Sequence, residues 1–173
     1  MLSKATLLTP RVVFAGVFAA CAALIGFALY LQHVEVLEPC PMCILQRYAF
    51  IAIAGVALVG ALHGPRGPML YLYGGLALLF AVAGGGVALR HSWLQRFPVE
   101  SFSCGADLDY LLNTLPFAQA LPAIFAGTGE CSKVAWRFLG FSIPEWAFVW
   151  FVLFAAAALA LMWRAQNPRW VTL

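Results

Sequence analysis

The chain has 173 residues, of which 64% are hydrophobic and 10% are charged, with a formal net charge of +3. About a quarter of the residues of a soluble domain are charged, so this composition excludes a soluble globular protein. The small net charge and the absence of basic runs also argue against nucleic-acid binding. We therefore expect an integral membrane protein.

Four apolar stretches are long enough to cross a bilayer as helices, which takes about 17–25 residues each. We place them at residues 12–31, 44–62, 69–89 and 146–163. Backbone polar groups in lipid must be paired within the protein, and the alternation of a membrane barrel is absent, so helices are predicted. The predicted fold is all-α: one membrane domain over residues 1–173, built as a four-transmembrane-helix bundle with loops at residues 32–43 and 90–145.

The distribution of charge predicts the orientation of this bundle. Four spans place both termini on one side of the membrane and the two loops on the other. Basic residues crowd the short segments on the side of the termini: Lys4, Arg11, Arg66, Arg164 and Arg169. Positive charge in short flanking segments marks the cytoplasmic side. Both termini are therefore predicted to be cytoplasmic, and the two loops face a compartment in which disulfides persist.

The first span contains one of the five cysteines, Cys21, inside its apolar run. We interpret this thiol as a small buried apolar residue. The parity of the spans places the other four cysteines together on the side opposite the termini.

The start of the second span carries a Cys-Pro-Met-Cys motif at Cys40–Cys43. Cysteines three apart in a helical first turn lie side by side, at a separation compatible with a disulfide. Pro39 and Pro41 suit a chain that is entering a helix. The positive end of the helix dipole and Arg47, four residues on, both favour the thiolate form of Cys43. Because the thiolate is the reactive form, the motif indicates redox chemistry at the membrane surface.

Two polar residues follow the third span. His91 and Gln95 are four apart and share one helical face if the helix continues that far. They reach the same membrane surface as Arg47, so we expect the three side chains to line one pocket at the lipid boundary. Polar groups near hydrocarbon are costly and often functional. Interfacial anchoring and helix capping are the alternative interpretation.

The segment at residues 90–145 is too long for a simple connection, and such loops are usually functional or disordered. It contains Cys104 and Cys131, together with an apolar stretch at residues 111–125 that we expect to rest on the membrane interface. Four cysteines allow three pairings, and the sequence does not choose among them.

Two structural interpretations of the cysteines compete with redox chemistry. All four could bind zinc, but Cys104 and Cys131 are spaced far outside a zinc knuckle, so we predict no metal. A disulfide closing the loop between these two would add about 3–4 kcal/mol of stability. One between Cys40 and Cys43 closes almost no loop and stabilises little, which favours redox chemistry for that pair.

Six segments in a fixed order carry a resemblance to a known family: Pro39–Cys43 with Gln46-Arg47, His91–Gln95, Cys104, Gly129–Cys131, Trp136–Gly140 and Ile143–Trp146. With the four spans, they resemble the disulfide bond formation protein B (DsbB) quinone oxidoreductases over nearly the whole chain. The resemblance implies an enzyme of the bacterial inner membrane with periplasmic cysteine loops. The partners of such an enzyme would be a DsbA-like periplasmic thiol oxidase and a membrane quinone. Ubiquinone is the expected quinone, and menaquinone is the alternative.

The resemblance also implies a relay of two disulfides. Reduced DsbA would attack a Cys104–Cys131 disulfide at Cys104. The freed Cys131 would attack Cys40, and Cys43 would leave as a thiolate and pass electrons to a bound quinone.

In the family that this chain resembles, the residues that match Arg47, His91 and Gln95 are associated with quinone binding or activation. On electrostatic grounds, Arg47 would stabilise both the Cys43 thiolate and the negative charge that develops on a reduced quinone. The Pro-Met dipeptide inside the first cysteine pair departs from some members and bears on the redox potential.

Three other functions are weighed against this one. Vitamin K epoxide reductase-like proteins also carry a Cys-x-x-Cys motif, but their loop cysteines precede it, whereas here they follow. A non-catalytic membrane scaffold held by a disulfide is a second alternative. A haem protein is a third, but His33 and His63 fall on opposite sides of the membrane, and His91 has no second span histidine as an axial partner.

Overall fold

The computed structural model describes residues 9–97, 129–132, 134 and 136–166. Within these residues, four helices are long and apolar enough to cross a membrane. The prediction of an all-α, four-span membrane protein is therefore confirmed. The elements, in chain order, are α1 Pro10–His33, α2 Pro41–His63, α3 Pro68–Arg96, α4 Gly129–Ser132, β1 Arg137–Phe138, β2 Phe141–Ser142 and α5 Ile143–Gln166.

Every long helix extends beyond the apolar run that predicted it. The largest difference is in α3, which continues through Arg96 although the predicted span ends at residue 89. Hydropathy marks the part of a helix that crosses lipid, whereas the helix itself ends where its hydrogen bonds end; here the N–H of Phe97 still donates to the carbonyl of Trp93 over 2.9 Å. Both predicted loops are shorter as a result, and His91 and Gln95 lie on α3.

Prolines begin three of the long helices, at Pro10, Pro41 and Pro68. Proline suits this position because its missing N–H would be unbonded in the first turn and its fixed φ is already helical. At the other end of α2, Gly64 has a φ of 62° and its N–H donates to the carbonyl of Gly60 over 2.9 Å. This left-handed cap is a conformation that favours glycine.

The start of α5 is prepared by a hairpin and a capping box. Strands β1 and β2 pair antiparallel around a turn at Leu139 and Gly140, whose φ values are 52° and 84°. The backbone N–H and the hydroxyl of Ser142 both donate to the carboxylate of Glu145, over 2.8 and 3.2 Å. A glutamate that reaches back to the N-cap residue satisfies an N–H that the helix itself leaves unbonded.

The helices pack in chain order, α1 on α2, α2 on α3 and α3 on α5, while α1 and α5 hardly meet. A close approach lies in the middle of the bundle. A methyl group added at Gly84 of α3 would come within 2.4 Å of the Phe151 ring and 2.9 Å of the Ala49 Cβ. Phe151 in turn stacks on Phe50 of α2, with ring centroids 4.2 Å apart. Gly84 therefore allows α3 to approach both α2 and α5.

Candidate functional site

The two cysteines of the Cys-Pro-Met-Cys motif lie at the first turn of α2. Cys40 is the N-cap residue, Pro41 is the first helical residue, and the N–H of Ile44 donates to the carbonyl of Cys40 over 3.1 Å. The Cys40 and Cys43 sulfurs are 3.4 Å apart, and both residues are thiols. A disulfide bond is about 2.05 Å long, so a small movement of either side chain would bring the sulfurs to bonding distance, and an acceptor of two electrons and two protons would then allow the bond to form.

A third cysteine reaches this pair from far along the chain. Cys131 of α4 is completely buried and packs with Cys40, Met42 of α2 and Leu94 of α3. The sulfurs of Cys40 and Cys131 and a ring nitrogen of His91 all lie within 4.8 Å of one another. The parity of the spans predicted only that Cys131 shares a side with Cys40, whereas the fold brings the two sulfurs close together.

His91 connects the cysteines to a buried amide. Its Nε2 is 3.6 Å from the Cys40 sulfur, and its Nδ1 is 3.1 Å from Nε2 of Gln46. His91 is 2% exposed and Gln46 is 3% exposed, so both polar groups are removed from solvent. Sequence reasoning quoted Gln46 only within a motif and gave it no role. Its position inside an otherwise apolar span was the available signal, because buried polar groups in membrane helices are often functional.

Arg47 points toward α1. Its Nη1 donates to Oε1 of Gln32 over 2.5 Å, and its Nη2 donates to the carbonyl of Ala28 over 3.2 Å. The sequence argument placed the positive charge of Arg47 beside Cys43. The two side chains do interact electrostatically. The hydrogen bonds of Arg47 go to α1, so this side chain also links α1 to α2 at the edge of the site.

A cavity of about 820 Å³ lies directly beside these groups. It is open on one part of its surface and is lined by α1, the connection after it, the first half of α2, the end of α3, the hairpin and the start of α5. Most of its walls are apolar or aromatic, including Trp136, Trp146 and Trp150. Its polar lining includes all four residues proposed from the sequence to contact a cofactor: Cys43, Arg47, His91 and Gln95.

Aromatic contacts connect α1 to the hairpin beside the cavity. Phe27 of α1 meets Trp136 edge to face, with centroids 5.7 Å apart, and Trp136 stacks on Phe138 of β1. The indole N–H of Trp146 donates to the carbonyl of Phe138 over 3.0 Å and fixes the hairpin on α5. The hairpin, absent from the sequence prediction, thus forms one wall of the site.

Some sequence predictions remain predictions here. Cys104 and the apolar stretch at residues 111–125 lie outside the described residues, and so does any pairing of Cys104 with Cys131. Cysteine sulfur and imidazole nitrogen are zinc ligands, and Cys40, His91 and Cys131 offer three such atoms. This set includes a histidine and differs from the four-cysteine set weighed from the sequence, so the absence of a metal stays a prediction.

Comparisons with known proteins agree with this architecture. The family model described as disulfide bond formation protein DsbB matches residues 10–161. A disulfide bond formation protein B from Aromatoleum aromaticum is 54% identical over 157 residues, which cover 91% of this chain and 95% of the relative. Its counterpart from Azoarcus sp. is 52% identical over 153 residues, with coverage of 88% and 90%.

A more distant relative of the same name, from Nitrosospira multiformis, is 41% identical over 160 residues and covers 92% of this chain and 95% of its own length. The match thus extends from α1 into α5 and includes every described residue of the site. The chain belongs to the disulfide bond formation protein B family, whose members are multi-pass proteins of the bacterial inner membrane that act as oxidoreductases in disulfide bond formation.

Proposed function

We propose that this protein is a dithiol:quinone oxidoreductase that reoxidises a DsbA-like periplasmic thiol oxidase and transfers the electrons to a membrane quinone. One observation carries the proposal. The Cys131 sulfur lies within 4.8 Å of the Cys40 sulfur, and Cys40 and Cys43 lie on the edge of an 820 Å³ apolar cavity. Thiol exchange needs sulfurs in contact, and a lipid-soluble acceptor needs an apolar site beside the last of them.

The proposed relay moves one pair of electrons through two disulfides. A thiolate of reduced DsbA attacks Cys104 of a Cys104–Cys131 disulfide, and the electron pair of that bond passes to Cys131. The Cys131 thiolate then attacks Cys40 of a Cys40–Cys43 disulfide, so a Cys131–Cys40 bond forms and Cys43 leaves as a thiolate. Over the whole cycle, DsbA loses two electrons and two protons and becomes a disulfide, and the quinone gains both to become a quinol.

The cavity fits a quinone in size and in chemistry. Ligand pockets are typically about 300–1,000 Å³, mostly apolar, with a few polar groups that fix orientation. A quinone ring is flat and carries two carbonyl acceptors, which match the tryptophan walls and the N–H groups of Arg47 and Gln95. Since α1 and α5 hardly meet, a long apolar tail has a route from the ring into the bilayer.

The proposed function requires one orientation of the bundle in the membrane. The end that holds Cys40 would face the periplasm, where DsbA acts, and both termini would be cytoplasmic, as the charge distribution predicts. In this orientation, the periplasmic surface of the bilayer would lie at the level of Arg47, His91 and Gln95. There, Arg47 would stabilise the negative charge that develops on the quinone as it is reduced.

The decisive experiment measures electron transfer in the purified full-length protein in detergent. Reduced DsbA is supplied with ubiquinone or with menaquinone, and quinol formation and DsbA oxidation are followed together. Cys40→Ala and Cys43→Ala are expected to reduce both rates to background, whereas Cys21→Ala, a thiol buried in the core, is the matched control and keeps them. Unchanged turnover in either of the first two variants would refute the proposal.

A trapping experiment separates this enzyme from a disulfide-held scaffold. A DsbA variant that keeps only its attacking cysteine opens the Cys104–Cys131 disulfide and forms a mixed disulfide with Cys104, and no second DsbA thiol is present to release it. The covalent adduct should therefore accumulate with the wild-type protein and be absent from Cys104→Ala, whereas a scaffold would form no such adduct.

A further inference from the structure

We propose that Gln46 is a positioning residue that keeps the proton of His91 on Nε2, facing the Cys40 sulfur. Three side-chain groups are in contact across the α2–α3 interface: the Gln46 amide, the His91 ring and the Cys40 sulfur. The His91 ring also has a hydrogen bond with the backbone of Cys131. The two heavy-atom distances are 3.1 Å, from Gln46 Nε2 to His91 Nδ1, and 3.6 Å, from His91 Nε2 to Cys40 Sγ. Both polar side chains are almost wholly buried, at 3% and 2% exposure.

Hydrogen-bond chemistry fixes the direction of these side-chain contacts. A neutral imidazole has one nitrogen that donates and one that accepts, and an amide NH₂ group can only donate. Because Gln46 presents its NH₂ group to Nδ1, that nitrogen accepts, and the ring proton must be on Nε2. Nε2 faces Cys40, so the ring donates toward the sulfur. If the amide oxygen faced Nδ1 instead, the ring would turn a lone pair toward Cys40.

The consequence for catalysis rests on the proposed relay. After Cys131 has attacked Cys40, the two are joined by a disulfide. To restore the starting state, the second thiolate of DsbA first attacks the DsbA sulfur of the mixed disulfide, so DsbA leaves as a disulfide and Cys104 as a thiolate. The Cys104 thiolate then attacks Cys131, a Cys104–Cys131 bond forms, the Cys131–Cys40 bond breaks, and its electron pair goes to Cys40. A hydrogen bond to a charged acceptor is roughly twice as strong as one between neutral groups. The Nε2–H of His91 therefore stabilises Cys40 as the departing thiolate without transferring a proton.

A purely structural role for Gln46 would be to fill space between α2 and α3. Leucine fills nearly the same volume without a donor, so Gln46→Leu preserves that role and removes the amide. Gln46→Met, an unbranched side chain of similar length, does the same and serves as a second variant if the first folds poorly. Gln32→Leu is the matched control, because it removes an amide that bonds Arg47 and not His91.

The direct measurement is the tautomer of His91, observed by ¹⁵N NMR of histidine-labelled, reduced protein in detergent. The chain has three histidines, so variants of His33 and His63 assign the signals. In the wild type and in Gln32→Leu, we expect a protonated Nε2 and an unprotonated Nδ1. In Gln46→Leu and Gln46→Met, a substantial population should move its proton to Nδ1. A wild-type ring protonated at Nδ1, or an unchanged tautomer in both Gln46 variants, would overturn the proposal.

Kinetics supply a second measurement. Loss of the preferred tautomer should lower kcat of DsbA oxidation by about tenfold, within the range of one hydrogen bond to a charged group, and leave KM for quinone unchanged. An unchanged kcat in both Gln46 variants contradicts the catalytic part. If the wild type transfers no electrons to quinone, the proposed function fails, while the NMR result still decides where Gln46 holds the proton.

Discussion

At the end of the bundle that holds the cysteines, the helices enclose an 820 Å³ cavity and bury a histidine and a glutamine. At the opposite end, side chains fill the space between the same helices: Phe14 of α1 packs with Ala57 of α2, Leu70 of α3 and Leu161 of α5. The Phe14 ring lies close against the α2 backbone there, since a methyl group at Gly60 would lie 3.0 Å from the ring.

The difference shows how a small membrane protein keeps an open site. Helices in lipid associate through close packing and hydrogen bonds, because the surrounding tails are as apolar as the side chains. Close packing in the middle and at one end sets the positions of the helices. The other end can then hold a cavity and buried polar groups without collapsing onto them.

The largest expected effect comes from overpacking the middle of the bundle. Gly84→Ala places a methyl group 2.4 Å from the Phe151 ring, which must move or push α5 away from α3. Overpacking of this kind costs about 1–3 kcal/mol. Titration of the purified protein with a denaturing detergent measures the decrease in the free energy of unfolding.

Gly86→Ala is the control for this change, because a methyl group there meets nothing within 4 Å. Alanine is favoured over glycine inside a helix by up to about 1 kcal/mol, so this variant should be as stable as the wild type or slightly more so. Equal stability of the two variants would show that α3 and α5 do not rely on the glycine contact.

An intermediate effect is expected from Arg47→Lys at the open end. Lysine is a point charge that cannot reproduce the two directed bonds of Arg47 to Gln32 and Ala28. We expect KM for quinone to rise about tenfold, because the proposed hydrogen bond from Arg47 to a quinone carbonyl depends on this orientation of the guanidinium group. A hydrogen bond from a charged group contributes about 1.5–3 kcal/mol. Steady-state assays at varied quinone concentration measure KM.

The packed end offers a matched substitution. Arg11 donates to the carbonyl of Leu62 over 3.2 Å and so also connects α1 to α2. Arg11→Lys should leave KM for quinone unchanged, since neither Arg11 nor Leu62 lines the cavity. A similar rise in both variants would attribute the effect to the α1–α2 connection rather than to the quinone site.

The smallest effect is expected at the cap of α5. Glu145→Ala removes both the bond from the Ser142 N–H and an ion pair with Arg96, whose side chain is 67% exposed. Loss of a cap costs about 1 kcal/mol, and an exposed ion pair adds at most about as much. Glu145→Gln keeps the capping interaction and loses the charge, so it should cost only a few tenths of a kcal/mol. Equal losses in the two variants would assign the stability to the charge.

The sequence predicted the four spans because hydropathy is a property of single segments. It did not predict the end of α3, since that helix leaves the apolar region and continues through Arg90 and His91. It also missed Gln46, whose role depends on a partner in another helix. The left-handed backbone of Val36, with a φ of 53°, was equally invisible, because a β-branched residue rarely adopts that conformation.

The sequence predicted which residues form the candidate site better than it predicted which residues they contact. Cys43, Arg47, His91 and Gln95 do line one cavity. Arg47 was predicted to act on Cys43, four residues away on the same helix, and the two do interact electrostatically. The hydrogen bonds of Arg47 to α1 were not predicted. Spacing along one helix gives the face on which a residue lies, and it carries no information about which neighbouring helix that face will meet.

The burial of Cys21 matters for the fidelity of a relay that works by contact between sulfurs. The chain has five cysteines, an odd number, and disulfide exchange accepts any thiolate that reaches a disulfide. Cys21 is completely enclosed with Phe50, Ile53 and Phe151 in the middle of the bundle. Because the Cys21 thiol is buried, it cannot reach the disulfides of the other four cysteines. The protein can therefore carry a fifth cysteine without forming a wrong disulfide.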